Sequence, residues 1–192
     1  MKRRIFLKTA THAATHASLT AAALSSVACA ADTPTGLAKT QRDAEGPFYP
    51  VVPIPLENNL LLSDAFVGDE LLFTGRVLDT ASRPIAQVRI EIWQCDGNSV
   101  YRHPRANSDN QDPAFRGYGA TITDDNGNFK FSTIVPVPYP GRPPHIHVKL
   151  ISIDKTLLTT QIYLHGFSGP DERKLSTEKI SDSYMAQFDM VV

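Results

Sequence analysis

Residues 87–93 read Gln-Val-Arg-Ile-Glu-Ile-Trp. The apolar residues Val88, Ile90 and Ile92 alternate with one arginine and one glutamate. Because successive side chains of a strand point to opposite faces, this period of two predicts a half-buried β-strand.

Five further segments carry the β-branched and aromatic mixture of strands. We predict strands at residues 70–78, 129–134, 145–153, 157–164 and 184–192. The turn at residues 124–128 contains Asn-Gly, which is typical of tight hairpins, so residues 129–134 are expected to complete a hairpin. Residues 166–182 are predicted to be loop with at most one helical turn. Many short strands and few helix-forming runs predict an all-β fold, a β-sandwich core with little helix.

The ends and the composition of the chain indicate an exported single domain. Residues 1–31 are predicted to be an export signal, 32–44 a flexible lead-in and 45–192 the folded domain. The run Lys2-Arg3-Arg4-Ile5-Phe6-Leu7-Lys8 resembles a twin-arginine signal, with a basic Sec-type signal as the alternative. We therefore expect a periplasmic or secreted protein, with membrane attachment only if Cys29 is lipidated. The net charge of -1 argues against nucleic-acid binding, and Cys95 is left without a partner for a disulfide.

The segment at residues 139–147 carries the most chemical information. On a strand, His145 and His147 point to one face, so two imidazoles can meet one metal ion. Histidine with carboxylate suits zinc or iron(II), whereas phenolate oxygens favour a harder, higher-valent ion. Tyr139 and Tyr101 are candidate phenolate donors, although tyrosines also cap cores with the hydroxyl in water.

Several motifs together resemble one enzyme family. They lie, in order, at residues 45–49, 73–77, 90–94, 101–103, 139–147 and 160–163. The chain resembles the intradiol ring-cleavage dioxygenases, which include catechol 1,2-dioxygenase and protocatechuate 3,4-dioxygenase. The resemblance implies a non-haem Fe(III) enzyme that uses O2 to cleave catechol-type rings between the two hydroxyl-bearing carbons, giving muconate-type diacids.

The resemblance also implies residue roles. Tyr101 and His145 would be equatorial ligands of Fe(III), and Tyr139 and His147 axial ones. Tyr139 would also accept a substrate proton. Arg142 and Gln161 match the active-site arginine and glutamine of the family.

Departures from the family pattern leave the ring substituents and homo-oligomerisation open. Ser99 stands where the family commonly has glycine, and the loop at residues 139–145 is short. His103, His165, Tyr118 and Tyr163 are interpreted as structural or supporting residues, with His103 expected nearest the site.

Two alternatives remain from the sequence. The first is an exported, non-catalytic β-sandwich that binds a ligand or a metal. The second is a zinc or copper site that uses His145 and His147 only.

Overall fold

Two five-stranded β-sheets form the domain in the computed structural model, which describes residues 36–153 and 155–192. The strands are β1 (Glu70–Leu78), β2 (Arg89–Trp93), β3 (Tyr118–Ile122), β4 (Asn128–Ile134), β5 (His145–Ser152), β6 (Lys155–Leu164), β7 (Lys174–Leu175), β8 (Thr177–Ile180), β9 (Ser183–Gln187) and β10 (Met190–Val191). The helical structure of these described residues consists of two 3-10 turns, Ser108–Asn110 and Asp171–Arg173. The predicted all-β sandwich is therefore confirmed.

The first sheet is built around β1. This strand pairs antiparallel with β4 and parallel with β9, and its last residues pair with β10. Strand β8 then pairs antiparallel with β9. The alternating burial along β1 places Leu71, Phe73 and Val77 in the core.

The second sheet has the strand order β3-β2-β5-β6-β7. In the antiparallel register, Trp93 of β2 lies opposite His147 of β5, and His147 lies opposite Gln161 of β6. Residues opposite each other on neighbouring strands point to the same face of a sheet. The register therefore lines up these three side chains on one face.

The core lies between the two sheets. Phe73 and Phe131 come from the first sheet and Ile90 and Ile146 from the second, and all four are fully buried. Burying each such side chain contributes roughly 1.5–3 kcal/mol of transfer free energy. Because Ile146 faces this core, its neighbours His145 and His147 face the outer side of the second sheet.

The outer face of β2 differs from the prediction of a half-buried strand. Glu91 is buried, with 5% of its surface exposed. Its carboxylate accepts hydrogen bonds from Tyr49 Oη at 2.7 Å and from Arg89 Nε at 2.8 Å. Residues 45–49 pack over this face. The alternating pattern therefore predicted correctly which face of β2 points to the core, but not that the opposite face is also buried.

The turn at residues 124–128 forms, but the predicted hairpin is wrong. Gly127 has a φ of +73°, and the Asp124 carboxylate accepts hydrogen bonds from the backbone of Asn126 and Asn128. The turn connects β3 in one sheet to β4 in the other, and β4 pairs with β1. A turn signal predicts the chain reversal but not the partner strand.

The strands near the carboxyl end also differ from the prediction. Residues 166–182, predicted as loop, contain a 3-10 turn and the short strands β7 and β8. The predicted strand at 184–192 is interrupted between β9 and β10, although its alternation of Tyr184, Ala186 and Met190 toward the interior holds. No strand was predicted from the sequence at the position of β3.

Residues 36–44, part of the lead-in predicted to be flexible, make backbone hydrogen bonds to the domain. Leu37 N donates to Thr80 O and Asp43 N donates to Thr159 O, at 2.8 and 2.9 Å. These long-range bonds have no local sequence signal. The predicted export signal at 1–31 lies outside the described residues. Across the part of the chain that is described, no helix has the length and apolar character needed to cross a membrane.

Candidate metal centre

Two tyrosines and two histidines meet on the outer face of the second sheet. His145 and His147 are the first and third residues of β5, so the strand geometry alone directs both to the same side. Tyr101 follows β2 in a loop, and Tyr139 precedes β5 in another. The structure thus brings together the four side chains that the sequence indicated as ligands.

The donor atoms of this group approach each other closely. His145 Nε2 lies 3.1 Å from His147 Nε2 and 3.3 Å from Tyr101 Oη. The Tyr139 ring centroid is 5.6 Å from that of Tyr101 and 5.7 Å from that of His145. Two imidazole nitrogens and the Tyr101 phenol oxygen therefore lie close together, and the Tyr139 ring packs beside them.

Burial sets the protonation states of these groups in the metal-free protein. Burial, together with the nearby His145 and Arg142, lowers the pKa of His147 to about 3. Burial likewise lowers the pKa of His145 and raises the pKa of Tyr101 and of Tyr139. Neutral imidazoles are the form that binds metal, whereas both phenols must lose a proton on binding.

Hydrogen bonding orients the His145 ring. Its Nδ1 lies 2.7 Å from the Pro143 carbonyl oxygen, which can only accept, so Nδ1 carries the proton. The lone pair of His145 Nε2 is then directed toward His147 Nε2 and Tyr101 Oη, where a metal ion would bind. A backbone carbonyl that fixes the tautomer in this way is a common feature behind metal-binding histidines.

Packing against neighbouring rings and backbone holds His147. Its ring stacks on Trp93, with centroids 4.8 Å apart and an interplanar angle of 8°. The backbone of Gly46 also packs closely on the His147 ring. A Cβ added at Gly46 would lie 3.1 Å from His147 Cε1, and the φ of this glycine is +78°. His147 Nδ1 is buried with no hydrogen-bond partner among the described residues.

The donor set fits a hard, high-valent metal ion. Within residues 36–153 and 155–192 no group of three or more His, Cys, Asp or Glu side chains could hold a metal. Tyr101 and Tyr139 lie beside the two histidines and would add two phenolate oxygens to a ligand set. Anionic oxygen donors of this kind favour an ion such as Fe(III) over zinc.

Phe48 is a site residue that the sequence reasoning did not assign. Its ring stacks on Tyr101, with centroids 4.6 Å apart, and meets Tyr139 edge-on at 6.4 Å. The motif at 45–49 was noted for its resemblance, and that motif is the signal that could have identified this residue.

Arg142 and Gln161 lie together beside the histidines. Arg142 Nη2 donates to Gln161 Oε1 at 2.5 Å, and Gln161 Nε2 donates to Ala44 O at 2.8 Å. Gln161 is 1% exposed and is the direct strand neighbour of His147. Arg142 is partly exposed and carries the positive charge of this side of the site.

The remaining candidates occupy the surroundings. His103 packs edge-on against Phe48 at 5.7 Å, and its Nδ1 accepts a hydrogen bond from Arg105 N. Tyr163 Oη lies 3.0 Å from Gln161 Oε1. Tyr118 packs beside Trp93 and Tyr101, and His165 contributes a backbone bond to Leu175.

Ser99 connects the two tyrosine loops. Its φ is +66°, the left-handed conformation that favours glycine. Its hydroxyl donates to Pro138 O at 2.7 Å, directly before Tyr139. A surface cavity of about 550 Å³ lies away from these loops and is lined by residues including Arg76, Thr121 and Asn128.

Comparisons with known proteins identify a matching family and several relatives. The family model described as Dioxygenase matches residues 44–178. Catechol 1,2-dioxygenase from Candida albicans is 30% identical over 166 residues, which are 76% of this chain and 53% of that relative. The protocatechuate 3,4-dioxygenase beta chain from Burkholderia cepacia is 33% identical over 139 residues, which are 65% of this chain and 59% of that relative.

A solved structure matches over nearly its whole length. The dioxygenase domain of a dioxygenase carbohydrate-binding protein fusion from Streptomyces sp. SirexAA-E has a TM-score of 0.70 and 27% identity. The match covers 81% of this chain and 98% of that domain. The chain spans just over half the length of the two curated relatives above. From the family match over residues 44–178, this chain belongs to the intradiol ring-cleavage dioxygenase family.

Proposed function

We propose that this protein is a ferric dioxygenase that opens catechol-type rings between their two hydroxyl-bearing carbons, using O2 and giving muconate-type diacids. The observation that carries the proposal is the meeting of Tyr101, Tyr139, His145 and His147, with the two Nε2 atoms 3.1 Å apart. Relatives named for catechol and hydroxyquinol 1,2-dioxygenase activity support the substrate class.

The four side chains would hold Fe(III), and the two phenolates would offset much of its positive charge. When bound, this ion supplies a Lewis-acidic centre that draws catechol oxygens to the site and makes the ring reactive toward O2. The two phenols differ in accessibility: Tyr101 is 4% exposed, whereas Tyr139 is only half-buried. Tyr139 Oη is therefore the group that can accept a proton from a substrate hydroxyl.

Arg142 provides positive charge next to the ligands. Its guanidinium is held by Gln161 at the edge of the group, and Tyr139 lies three residues before it. A fixed cation in this position stabilises negative charge that develops on the reacting ring. Phe48 and Trp93 pack on Tyr101 and His147 and keep water from the inner side of the site.

The test is an anaerobic titration followed by turnover. The protein is loaded with Fe(III), and its visible spectrum is recorded before and after addition of catechol without oxygen. We expect a phenolate-to-iron band that shifts with catechol, followed by one O2 consumed per ring opened. A colourless protein that binds zinc and consumes no O2 would support the non-catalytic binding module instead.

Matched tyrosine variants sharpen this test. Tyr139→Phe is expected to lower turnover by on the order of 10²-fold, the usual contribution of a positioned proton acceptor. Tyr184→Phe removes a hydroxyl from β9 in the other sheet and serves as the control. Equal activity of both variants would contradict the assignment of Tyr139.

Export is part of the same proposal. The basic start and the paired Arg3 and Arg4 support a periplasmic or secreted location, which suits a protein that folds around its metal before transport. Cell fractionation of the wild type and of the variant with both arginines changed to lysine tests this. Retention of the variant in the cytoplasm is expected, and unaffected export would contradict a twin-arginine route.

A further inference from the structure

The Arg142–Gln161 pair continues into a larger buried hydrogen-bond network. Tyr163 Oη lies 3.0 Å from Gln161 Oε1 and 3.0 Å from Asp43 Oδ2. Arg173 Nη1 donates to the same Asp43 oxygen at 2.5 Å. The network therefore runs from Arg173 in the 3-10 turn, through Asp43, Tyr163 and Gln161, to Arg142.

This network determines which way the Gln161 amide faces. Gln161 Nε2 donates to the Ala44 carbonyl, which can only accept. Its Oε1 must then face Arg142, which donates to it, and Tyr163, whose single hydroxyl proton is shared between Gln161 Oε1 and Asp43 Oδ2. If the amide were reversed, its NH2 group would meet the guanidinium and its oxygen would meet the Ala44 carbonyl. Both contacts are unfavourable.

The segment that supplies Ala44 is itself fixed by Asp43. Asp43 N donates to Thr159 O at 2.9 Å. The Asp43 carboxylate pairs with Arg173, whose side chain is buried, with 8% of its surface exposed. A hydrogen-bonded charge pair with one buried partner holds its geometry well, because breaking it leaves a buried charge unpaired.

We propose that Asp43 and Tyr163 are positioning residues that hold Arg142 at the candidate metal centre. Tyr163 acts through the Gln161 amide and through its own hydroxyl oxygen, which lies 3.5 Å from Arg142 Nη2. Neither Asp43 nor Tyr163 is a ligand in the donor set. The catalytic consequence rests on the proposed function, but the placement of Arg142 does not.

The first test uses the metal-free protein and requires no activity. Phenylglyoxal modifies free guanidinium groups, and peptide mass spectrometry reports the rate at each arginine. Tyr163→Phe keeps the ring, which lies 5.4 Å from Arg173 Cζ, and removes only the hydroxyl. We expect Arg142 to react about three- to tenfold faster in this variant, the factor that one neutral hydrogen bond carries.

Two references make the result specific. Arg76, which pairs with Asp189 on the surface, reports general reactivity and is expected to stay constant in every variant. Tyr184→Phe removes a hydroxyl in the other sheet and is expected to leave Arg142 unchanged. Asp43→Asn is expected to increase Arg142 reactivity as Tyr163→Phe does. An unchanged Arg142 rate in a folded Tyr163→Phe protein overturns the proposal.

The second test asks whether Tyr163 acts through Arg142. In the iron-loaded enzyme, Tyr163→Phe is expected to lower kcat about three- to tenfold, with the phenolate band unaltered. In an Arg142→Ala background the same change is expected to have no further effect. An additive loss would show a general structural role and overturn the proposal. If the wild type opens no ring, the proposed function fails, while the phenylglyoxal result still decides the placement of Arg142.

Discussion

Ser99 offers a direct test of how the two tyrosine loops are held. It lies two residues before Tyr101 with a φ of +66°, and its hydroxyl donates to Pro138 O at 2.7 Å. One side chain thus joins the loops that carry Tyr101 and Tyr139. Its backbone conformation is unfavourable for any residue with a Cβ.

Two substitutions separate the hydrogen bond from the backbone strain. Ser99→Ala removes the bond and keeps the Cβ, so we expect a loss of about 1 kcal/mol in the free energy of unfolding. Ser99→Gly loses the same bond but relieves roughly 1–2 kcal/mol of left-handed strain. Part of that gain is offset by the greater freedom of glycine in the unfolded chain. The glycine variant should therefore be close to the wild type in stability.

Urea unfolding and thermal unfolding of the metal-free proteins measure this difference. A loss of 1 kcal/mol corresponds to about 2–4 °C in Tm for a domain of this size. In the iron-loaded proteins both variants should broaden or shift the phenolate band, because both release Pro138 from the Tyr101 loop. A glycine variant that is less stable than the alanine variant would refute the reasoning from strain.

Three other predictions follow from the site. Gly46→Ala is expected to lower stability and metal affinity more than Gly166→Ala. Both glycines have positive φ, but only a Cβ at Gly46 would meet His147, 3.1 Å from its Cε1. Equal losses for the two variants in urea unfolding and metal titration would contradict this. The pKa of His147 is about 3 when folded and 6.5 when unconstrained, so the folded metal-free protein binds fewer protons. The free energy of unfolding should fall as pH decreases from 6.5 toward 3, and His147→Gln should flatten this dependence. Equal slopes of stability against pH in the wild type and in His147→Gln would contradict the role of His147. The pKa values of Tyr101 and Tyr139 are raised, so both phenols should lose a proton when Fe(III) binds at neutral pH. Calorimetry in buffers of different ionisation enthalpy counts the protons released, and Tyr139→Phe should release one fewer than the wild type.

The fold class and the ligand strand could be predicted because their signals are local. An alternating pattern identifies the core face of β2, and His-x-His at the start of β5 places both imidazoles on one side whatever surrounds them. The two tyrosines were assigned by family resemblance, since nothing in their spacing requires them to meet the histidines.

The cover of the second sheet could not be predicted, because alternation says nothing about what packs on the polar face. Glu91 reads as a solvent-facing residue, yet Tyr49 and Arg89 satisfy it in a buried position. The hairpin expected at 124–128 failed for a related reason. A turn motif encodes local backbone angles, whereas the choice of β1 as the partner of β4 depends on the packing of both sheets.

The same reasoning explains where the site is completed. The sandwich supplies the strands that carry the histidines and Gln161, but residues 44–48 provide the contacts that fix them. Within that short stretch one carbonyl accepts from Gln161, one glycine packs on His147 and one phenylalanine stacks on Tyr101. Because the residues just before this segment are held by backbone bonds to strands far away in sequence, such as Asp43 N to Thr159 O, its effect on the site is absent from any local pattern. The geometry of the candidate metal centre therefore depends on this segment as well as on the sheet beneath it.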